Sequence, residues 1–129
     1  MTYLDFSHIE LKPEFIEHVL HGEKGEGEKG GHLAGTGREN KTEFPEDWNE
    51  ENIEQALASV LKKPDSVVIT GSNIYLRRVV VGVNIQFVLI SLKRGLTPFA
   101  AYPIGGPGVI QNIMGNRHPL PINNYRNEL

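Results

Sequence analysis

The stretch IYLRRVVVGVNIQFVLISL, residues 74–92, indicates the fold class of this 129-residue chain most clearly. Two runs rich in valine and isoleucine, residues 74–81 and 83–92, meet at Gly82. β-Branched residues favour strands, and a glycine between two such runs favours a tight turn. The stretch therefore predicts two antiparallel strands that are joined at Gly82.

Shorter segments on either side extend this pair. Residues 66–70 are rich in β-branched side chains, and residues 96–102 follow a turn signal. Pro98 cannot donate a hydrogen bond to a neighbouring strand, so residues 96–102 are expected to form an edge strand or to become a strand after the proline. Residues 104–108 predict a glycine–proline loop, and residues 114–129, which lack periodicity, predict an irregular tail.

Two amphipathic segments precede the strands. Pro13 suits the first turn of a helix that ends at Gly22. Asn49 is a good N-cap for a second helix, which Pro64 closes. Helices first and strands later are typical of an α+β fold, with the helices packed on an antiparallel sheet, and the length suits one domain over residues 1–129. The apolar face of the second helix is predicted to contain Ile53, Ala56, Leu57, Val60 and Leu61.

Composition excludes several classes of protein. The chain has no cysteine, which excludes a disulfide framework, a cysteine nucleophile and cysteine-rich zinc sites. No apolar run approaches the roughly 20 residues of a membrane span. Residues 1–5 lack the basic and apolar regions of a signal peptide, so no signal peptide is expected.

The net charge of −3 is unevenly distributed along the chain. Residues 1–65 contain 7 basic and 15 acidic residues, a balance of −8, whereas residues 66–129 contain 6 basic residues and one acid, a balance of +5. A basic strand half is suited to face phosphate groups, although acids on solvated helix faces would produce the same asymmetry.

The functional signal lies in the glycine-rich segment after the first helix. Residues 22–40 contain seven glycines, with His18 just before them and His32 among them. Glycine permits close approach of the backbone, and two imidazoles exchange protons near neutral pH. The segment predicts an acid–base site at His18 and His32, with helix capping as the alternative role for His18.

No cofactor or metal is expected at this segment. His21 follows His18 at helical spacing, but zinc needs a third ligand, and no further ligand motif is present. The glycines also lack the P-loop pattern and the βαβ context of a dinucleotide site. Trp48 is expected to pack the loop onto the second helix, with stacking on a base as an alternative.

The ordered set of motifs resembles the bacterial EndoU nuclease family, the toxin domains at the C-termini of polymorphic and contact-dependent inhibition toxins. That family typically reads His-hydrophobic-Leu-x-Gly-[Asp/Glu], a glycine-rich stretch, Gly-His-x-x-Gly, then Gly-Lys-Thr-x-Phe-Pro and a tryptophan. The resemblance covers about residues 15–104 and ends at Ala101-Tyr102-Pro103. The matching residues are His18, Leu20, Gly22, Glu23, Gly31, His32, Gly35, Lys41, Thr42, Phe44, Pro45 and Trp48.

The resemblance implies a small RNase-toxin fold and metal-independent cleavage of RNA. In such a reaction the 2′-hydroxyl attacks the adjacent phosphodiester and leaves a 2′,3′-cyclic phosphate and a 5′-hydroxyl. By analogy with the family, His32 would be the general base and His18 the general acid, and the reverse assignment stays open. Tyr102 is a third candidate catalytic residue, with a structural role as the alternative. The candidate substrate-binding residues are Gly31, Lys41, Thr42 and Thr97, and an ordinary surface lysine is the alternative for Lys41.

The resemblance also implies partners and a place of action. The partners would be an RNA substrate, with tRNA as a candidate, and a cognate immunity protein. The domain would be secreted as part of a larger toxin and would act in the cytoplasm of a target cell. A chain without cysteine suits a reducing cytosol.

One residue departs from the family pattern. The family usually has threonine or serine before Ala-[Tyr/Phe]-Pro, where this chain has Ala100. Tyr102 through its own hydroxyl, or Thr97 through a shifted register, would replace the missing group. Alternatively the chain is a catalytically impaired relative that binds RNA or protein. A metal hydrolase that uses His18, His21 and His32 is a further alternative.

Overall fold

The structure is a computed structural model that describes residues 5–22, 30–93 and 95–121. Residues 23–29 of the predicted loop and 122–129 of the predicted tail lie outside the described residues. The elements are α1 (Pro13–His21), β1 (Thr42–Glu43), α2 (Glu50–Lys62), β2 (Ser66–Thr70), β3 (Asn73–Val80), β4 (Val83–Leu92), β5 (Gly95–Gly105), β6 (Ile110–Ile113) and β7 (Asn116–Pro119).

The fold is α+β, as the sequence predicts, with two helices and two antiparallel sheets among the described residues. The larger sheet has the strand order β2-β3-β4-β5. β3 and β4 form the predicted hairpin, whose two-residue turn consists of Val81 and Gly82 with φ of +48° and +80°. Such a turn matches the right-handed twist of the flanking strands, and this explains the glycine.

The first helix covers the predicted residues. Lys12 precedes it in an extended conformation, and Pro13 occupies its first turn, where a missing N–H costs nothing. The helix buries Ile16, Val19 and Leu20 in the core and ends at Gly22, whose φ is +76°. The described part of the chain contains no helix with the length and apolar character needed to cross a membrane.

The second helix packs on β3 and β4 of the larger sheet. The Asn49 side chain accepts a hydrogen bond from the Asn52 amide at 2.7 Å, and the Asn52 side chain accepts from the Asn49 amide at 3.1 Å. This capping box satisfies two of the amides that a helix N-terminus leaves unpaired. All five predicted apolar residues of the helix are buried, and they pack in one core with Leu76, Ile85, Phe87 and Leu89 of the sheet.

The C-terminal part of the chain differs from the prediction. β5 runs through Pro98 to Gly105 as an edge strand, so the predicted loop at residues 104–108 begins later than expected. The predicted irregular tail is wrong as far as Pro119, because β6 and β7 form a hairpin that pairs with β1 in the order β1-β6-β7. These short strands are mostly polar, and their pairing depends on backbone hydrogen bonds to a segment about 70 residues away, which local periodicity does not record.

We expect Asn49→Ala to lower the free energy of unfolding by about 1 kcal/mol, because the first turn of α2 loses its side-chain acceptor. Urea denaturation of the purified chain measures this value. Asn49→Asp keeps the acceptor and is the control. Equal stability of Asn49→Ala and the parent would show that the capping box contributes nothing.

Candidate functional site

A cavity of about 730 Å³ lies between α1, the end of the glycine-rich loop and strands β3–β5. Five of the seven predicted site residues line it: His18, His32, Lys41, Thr42 and Tyr102. The other lining residues are Phe15, Gly30, Asn40, Asn73, Tyr75, Val88, Pro98, Phe99, Ala100, Ala101, Ile104 and Gln111.

The structure places the remaining two predicted residues elsewhere. Thr97 lines a second cavity of about 590 Å³ together with His8 and Lys12, so it is not brought together with the two histidines. Gly31 does not line the first cavity, and its amide donates a hydrogen bond to the His18 carbonyl at 3.2 Å.

Backbone hydrogen bonds hold the two histidines in one place. The last carbonyls of a helix have no partner within the helix. In α1 these carbonyls accept hydrogen bonds from the returning loop: the His32 amide donates to the Val19 carbonyl at 2.7 Å, and the Leu33 amide donates to the Leu20 carbonyl at 3.0 Å. The position of His32 relative to the helix that contains His18 is therefore determined by the backbone.

Gly30 lies close against His18. Its φ is +74°, and a Cβ atom there would lie 2.1 Å from the His18 carbonyl oxygen and 3.2 Å from Nε2 of the His18 ring. A side chain of any size is incompatible with this contact. The close backbone approach that the glycines predict is therefore observed at Gly30, and it is made to His18.

His32 is a buried and neutral histidine. Only 5% of its surface is exposed, and Nδ1 lies 2.7 Å from the Thr42 carbonyl oxygen. A carbonyl only accepts, so Nδ1 donates and Nε2 has the lone pair. Burial lowers the pKa of His32 to about 4, with smaller lowering by Lys41 and His18, against the opposing effect of the Thr42 hydrogen bond. The ring is therefore uncharged at neutral pH.

Tyr102 lies beside His32 in the cavity. Its ring centroid lies 5.5 Å from that of His32, and its hydroxyl oxygen accepts a 2.7 Å hydrogen bond from Nε2 of Gln86. The Gln86 side-chain oxygen in turn accepts from Nε of Arg77 at 2.7 Å. Both supporting side chains are buried. A charged donor therefore orients the amide that positions the Tyr102 hydroxyl.

Sequence analysis missed this supporting chain. Arg77, Gln86 and Tyr102 lie opposite one another on three adjacent strands, β3, β4 and β5. The available signal is the presence of Arg77 and Gln86 within largely apolar strand runs, because a polar residue in a buried strand needs a hydrogen-bonding partner.

Glu43 is a further residue that the motifs did not single out. Its carboxylate is fully buried and accepts hydrogen bonds from the Gly35 and Gly37 amides, from the Asn112 side chain and from Arg117, all between 2.7 and 2.9 Å. Burial raises the pKa of Glu43, but the hydrogen bonds outweigh it and hold the pKa below its usual value. The carboxylate thereby ties the loop and β1 to the β6–β7 hairpin.

The Thr42 hydroxyl is the unsatisfied polar group of the cavity. Within the described part of the chain, its Oγ1 atom is shielded from solvent and has no hydrogen-bond partner. Buried polar atoms are rarely left without a partner, and an exception next to a cavity is a candidate ligand contact. Lys41, the adjacent residue, supplies a cation at the same wall.

Two other residues singled out by sequence analysis lie away from the cavity lining. The His21 ring is exposed and lies 3.6 Å from a Glu50 carboxylate oxygen and 3.9 Å from one of Glu17. Across the described ranges, no group of three or more histidine, aspartate or glutamate side chains is arranged to hold a metal ion. Trp48 stacks on Phe44 at 5.8 Å and packs against the core, which matches the packing role.

No family model matches this chain, and searches of characterised proteins and of solved structures find no significant match. The assignment of a function therefore depends on the geometry of the cavity and on the sequence motifs.

We expect the stability of the protein to fall as pH decreases from about 6.5 to about 4. The folded state keeps His32 neutral in this window while the unfolded chain binds a proton, so the loss reaches roughly 3 kcal/mol. Urea denaturation at a series of pH values measures it, and His32→Gln should remove this part of the slope.

His21→Gln, which removes an exposed histidine, is the matched control and should keep the slope. An identical pH dependence in His32→Gln and the parent would contradict the assignment. The contribution of Glu43 appears separately: its lowered pKa gives stability that is lost only below about pH 4.5.

Proposed function

We propose that this chain is a metal-independent endoribonuclease domain of the EndoU type. The observation that carries the proposal is the convergence of His18, His32 and Tyr102 on one open cavity, with Lys41 and the unsatisfied Thr42 hydroxyl at the same wall. The motifs that resemble the EndoU family contribute four of these five residues, and Tyr102 lies at the end of the resemblance.

In the proposed reaction, Nε2 of His32 removes the proton of a ribose 2′-hydroxyl. The 2′-oxygen attacks the adjacent phosphorus, and the bond to the 5′-oxygen breaks. His18 donates a proton to that oxygen, which leaves as a 5′-hydroxyl. The neutral state of His32 supports its assignment as the base, and the anionic phosphate of a bound RNA would raise its pKa towards a more effective value.

The pentavalent transition state needs donors near the non-bridging oxygens. In the proposal Lys41 supplies charge and the Tyr102 hydroxyl donates a hydrogen bond, and the Thr42 hydroxyl, which is shielded from solvent, becomes a further donor when its side chain rotates towards the cavity. Tyr102 suits this role because its oxygen accepts from Gln86, which orients the hydroxyl as a donor. Donors that are held in place before the reaction often supply a large share of the rate enhancement.

The biological setting follows from the resemblance alone. We propose that the domain is delivered as part of a larger secreted toxin, cleaves RNA such as tRNA in the cytoplasm of a target cell, and is neutralised by a cognate immunity protein. The reaction requires no cofactor and no metal ion.

We expect the parent to cleave total tRNA in the presence of EDTA and to leave 2′,3′-cyclic phosphate ends, and His18→Ala and His32→Ala to lower the rate by at least about 100-fold, because each loses a proton-transfer group. Gel analysis and end-group assays measure both. His21→Ala is the control, since His21 does not line the cavity. Parent-like cleavage by both variants, with native circular dichroism, would refute the mechanism.

Ala100 favours a second candidate function, a catalytically impaired domain that binds RNA or protein. The residue lines the cavity opposite Val88, two positions before Tyr102 on the same strand, and it has no hydroxyl to offer a phosphate. Loss of one such donor typically costs about 100-fold or more in rate.

We expect Ala100→Thr to raise the cleavage rate by about 10-fold or more, because it adds a donor to the cavity wall. Ala100→Val, which has nearly the same shape without the hydroxyl, is the control and should not raise the rate. Single-turnover cleavage of tRNA measures all three proteins. A parent that binds RNA without cutting it, with no gain in Ala100→Thr, would favour the binding function instead.

A further inference from the structure

The cavity wall continues beyond the side chains to which the proposed reaction assigns a role. Tyr75, Val88 and Ala100 lie opposite one another on β3, β4 and β5, one row beyond Arg77, Gln86 and Tyr102. Side chains two residues apart on a strand share a face, so the two rows form one continuous surface that extends away from the histidines.

An irregularity in β5 lies beside this wall. Val88 lies opposite Ala100, and Leu89 lies opposite Pro98. Two residues of β5 therefore span the interval that one residue of β4 spans. Phe99 is the extra residue of this bulge. Successive side chains of a regular strand point to opposite faces, but a bulge redirects the extra residue. Phe99, the extra residue, and its neighbour Ala100 both line the cavity.

The ring of Phe99 is exposed to an unusual degree for its type. Phe99 is 51% exposed, whereas the other seven described phenylalanine, tyrosine and tryptophan residues are buried or more than half-buried. An exposed apolar ring at the mouth of a cavity is typical of a ligand contact rather than of packing. The polar group of Asn73 lies nearby on the same cavity, where its amide donates to the Tyr75 hydroxyl at 3.2 Å.

We propose that Phe99 is a stacking platform for one nucleobase of the RNA, next to the nucleotide whose phosphate lies between His18 and His32. This inference rests on the proposed function. A cavity of about 730 Å³ is larger than a phosphate and a ribose need, and it continues from the histidines to Phe99. Every base has an apolar face that stacks on an aromatic ring, and the Tyr75 and Asn73 side chains supply hydrogen-bonding groups for its edge.

Binding is tested on a short single-stranded DNA of mixed sequence, which lacks the 2′-hydroxyl and cannot be cleaved by the proposed reaction. Fluorescence anisotropy at one fixed salt concentration gives the Kd. We expect Phe99→Leu to weaken binding by about 10-fold, because it keeps an apolar side chain but loses the flat face, and Phe99→Trp to bind at least as tightly as the parent.

Ile69→Ala is the matched control. Ile69 is another exposed apolar residue of the same sheet, 69% exposed on β2, and it lines neither cavity, so its removal should leave the Kd unchanged. Thermal melts monitor folding, which an exposed residue at position 99 should scarcely affect.

Removal of single bases from the oligonucleotide identifies the stacked partner. At one position, loss of the base should weaken binding to the parent by about 10-fold and should have little further effect on Phe99→Leu, since both changes remove the same contact. The stacking proposal would be contradicted if Phe99→Leu bound the oligonucleotide as tightly as the parent. It would also be contradicted if the effects of Phe99→Leu and of base removal were additive at every position.

The same proteins separate this inference from the proposed function. Cleavage of the matching RNA without any coupling between Phe99 and a base would reject the platform and leave the nuclease assignment intact. Coupling without cleavage of the RNA would retain the platform and reject the nuclease assignment.

Discussion

The site depends on the pairing between the carboxyl end of α1 and the loop segment that returns to it. Helix carbonyls without an intrahelical partner need donors, and the amides of residues 31–33 supply them. His18 belongs to the helix and His32 to the returning segment, so the interaction that satisfies the helix end also sets the relative position of the two residues. Gly30 is part of this constraint, because only a residue without a side chain can approach His18 so closely.

A buried carboxylate secures the other side of the same segment. The Glu43 carboxylate accepts hydrogen bonds from two backbone amides of the loop, from the Asn112 side chain on β6 and from the Arg117 guanidinium on β7. Burial of a charge is costly unless hydrogen bonds replace the lost water, and here several donors do so. Lys41 and Thr42, which immediately precede it, are therefore presented to the cavity by a short strand that has little apolar packing of its own. The stability of the site thus depends on a hairpin at the far end of the chain.

The chemistry of the cavity follows from how each polar group is supported. His32 is buried and donates through Nδ1, so its other nitrogen has the lone pair at neutral pH. Tyr102 is held through Gln86 by a buried arginine. The backbone fixes His32, and Gln86, which does not line the cavity, fixes Tyr102. Support of this kind reduces the reorganisation that the proposed acid–base reaction would need.

Local sequence was sufficient for the helices and the large sheet. The Asn49 cap, the apolar face of α2 and the β3–β4 hairpin with its turn at Gly82 were all predictable, because each arises from interactions between residues close in the chain. The motifs also singled out five residues that meet in one cavity. Contacts that join distant segments could not be read in this way: Glu43 with Asn112 and Arg117, Tyr102 with Gln86, and the pairing of β1 with β6. The separation of Thr97 from the cavity and the bulge at Phe99 likewise appear only when β5 is paired with β4, since strand register is a property of two segments and not of one.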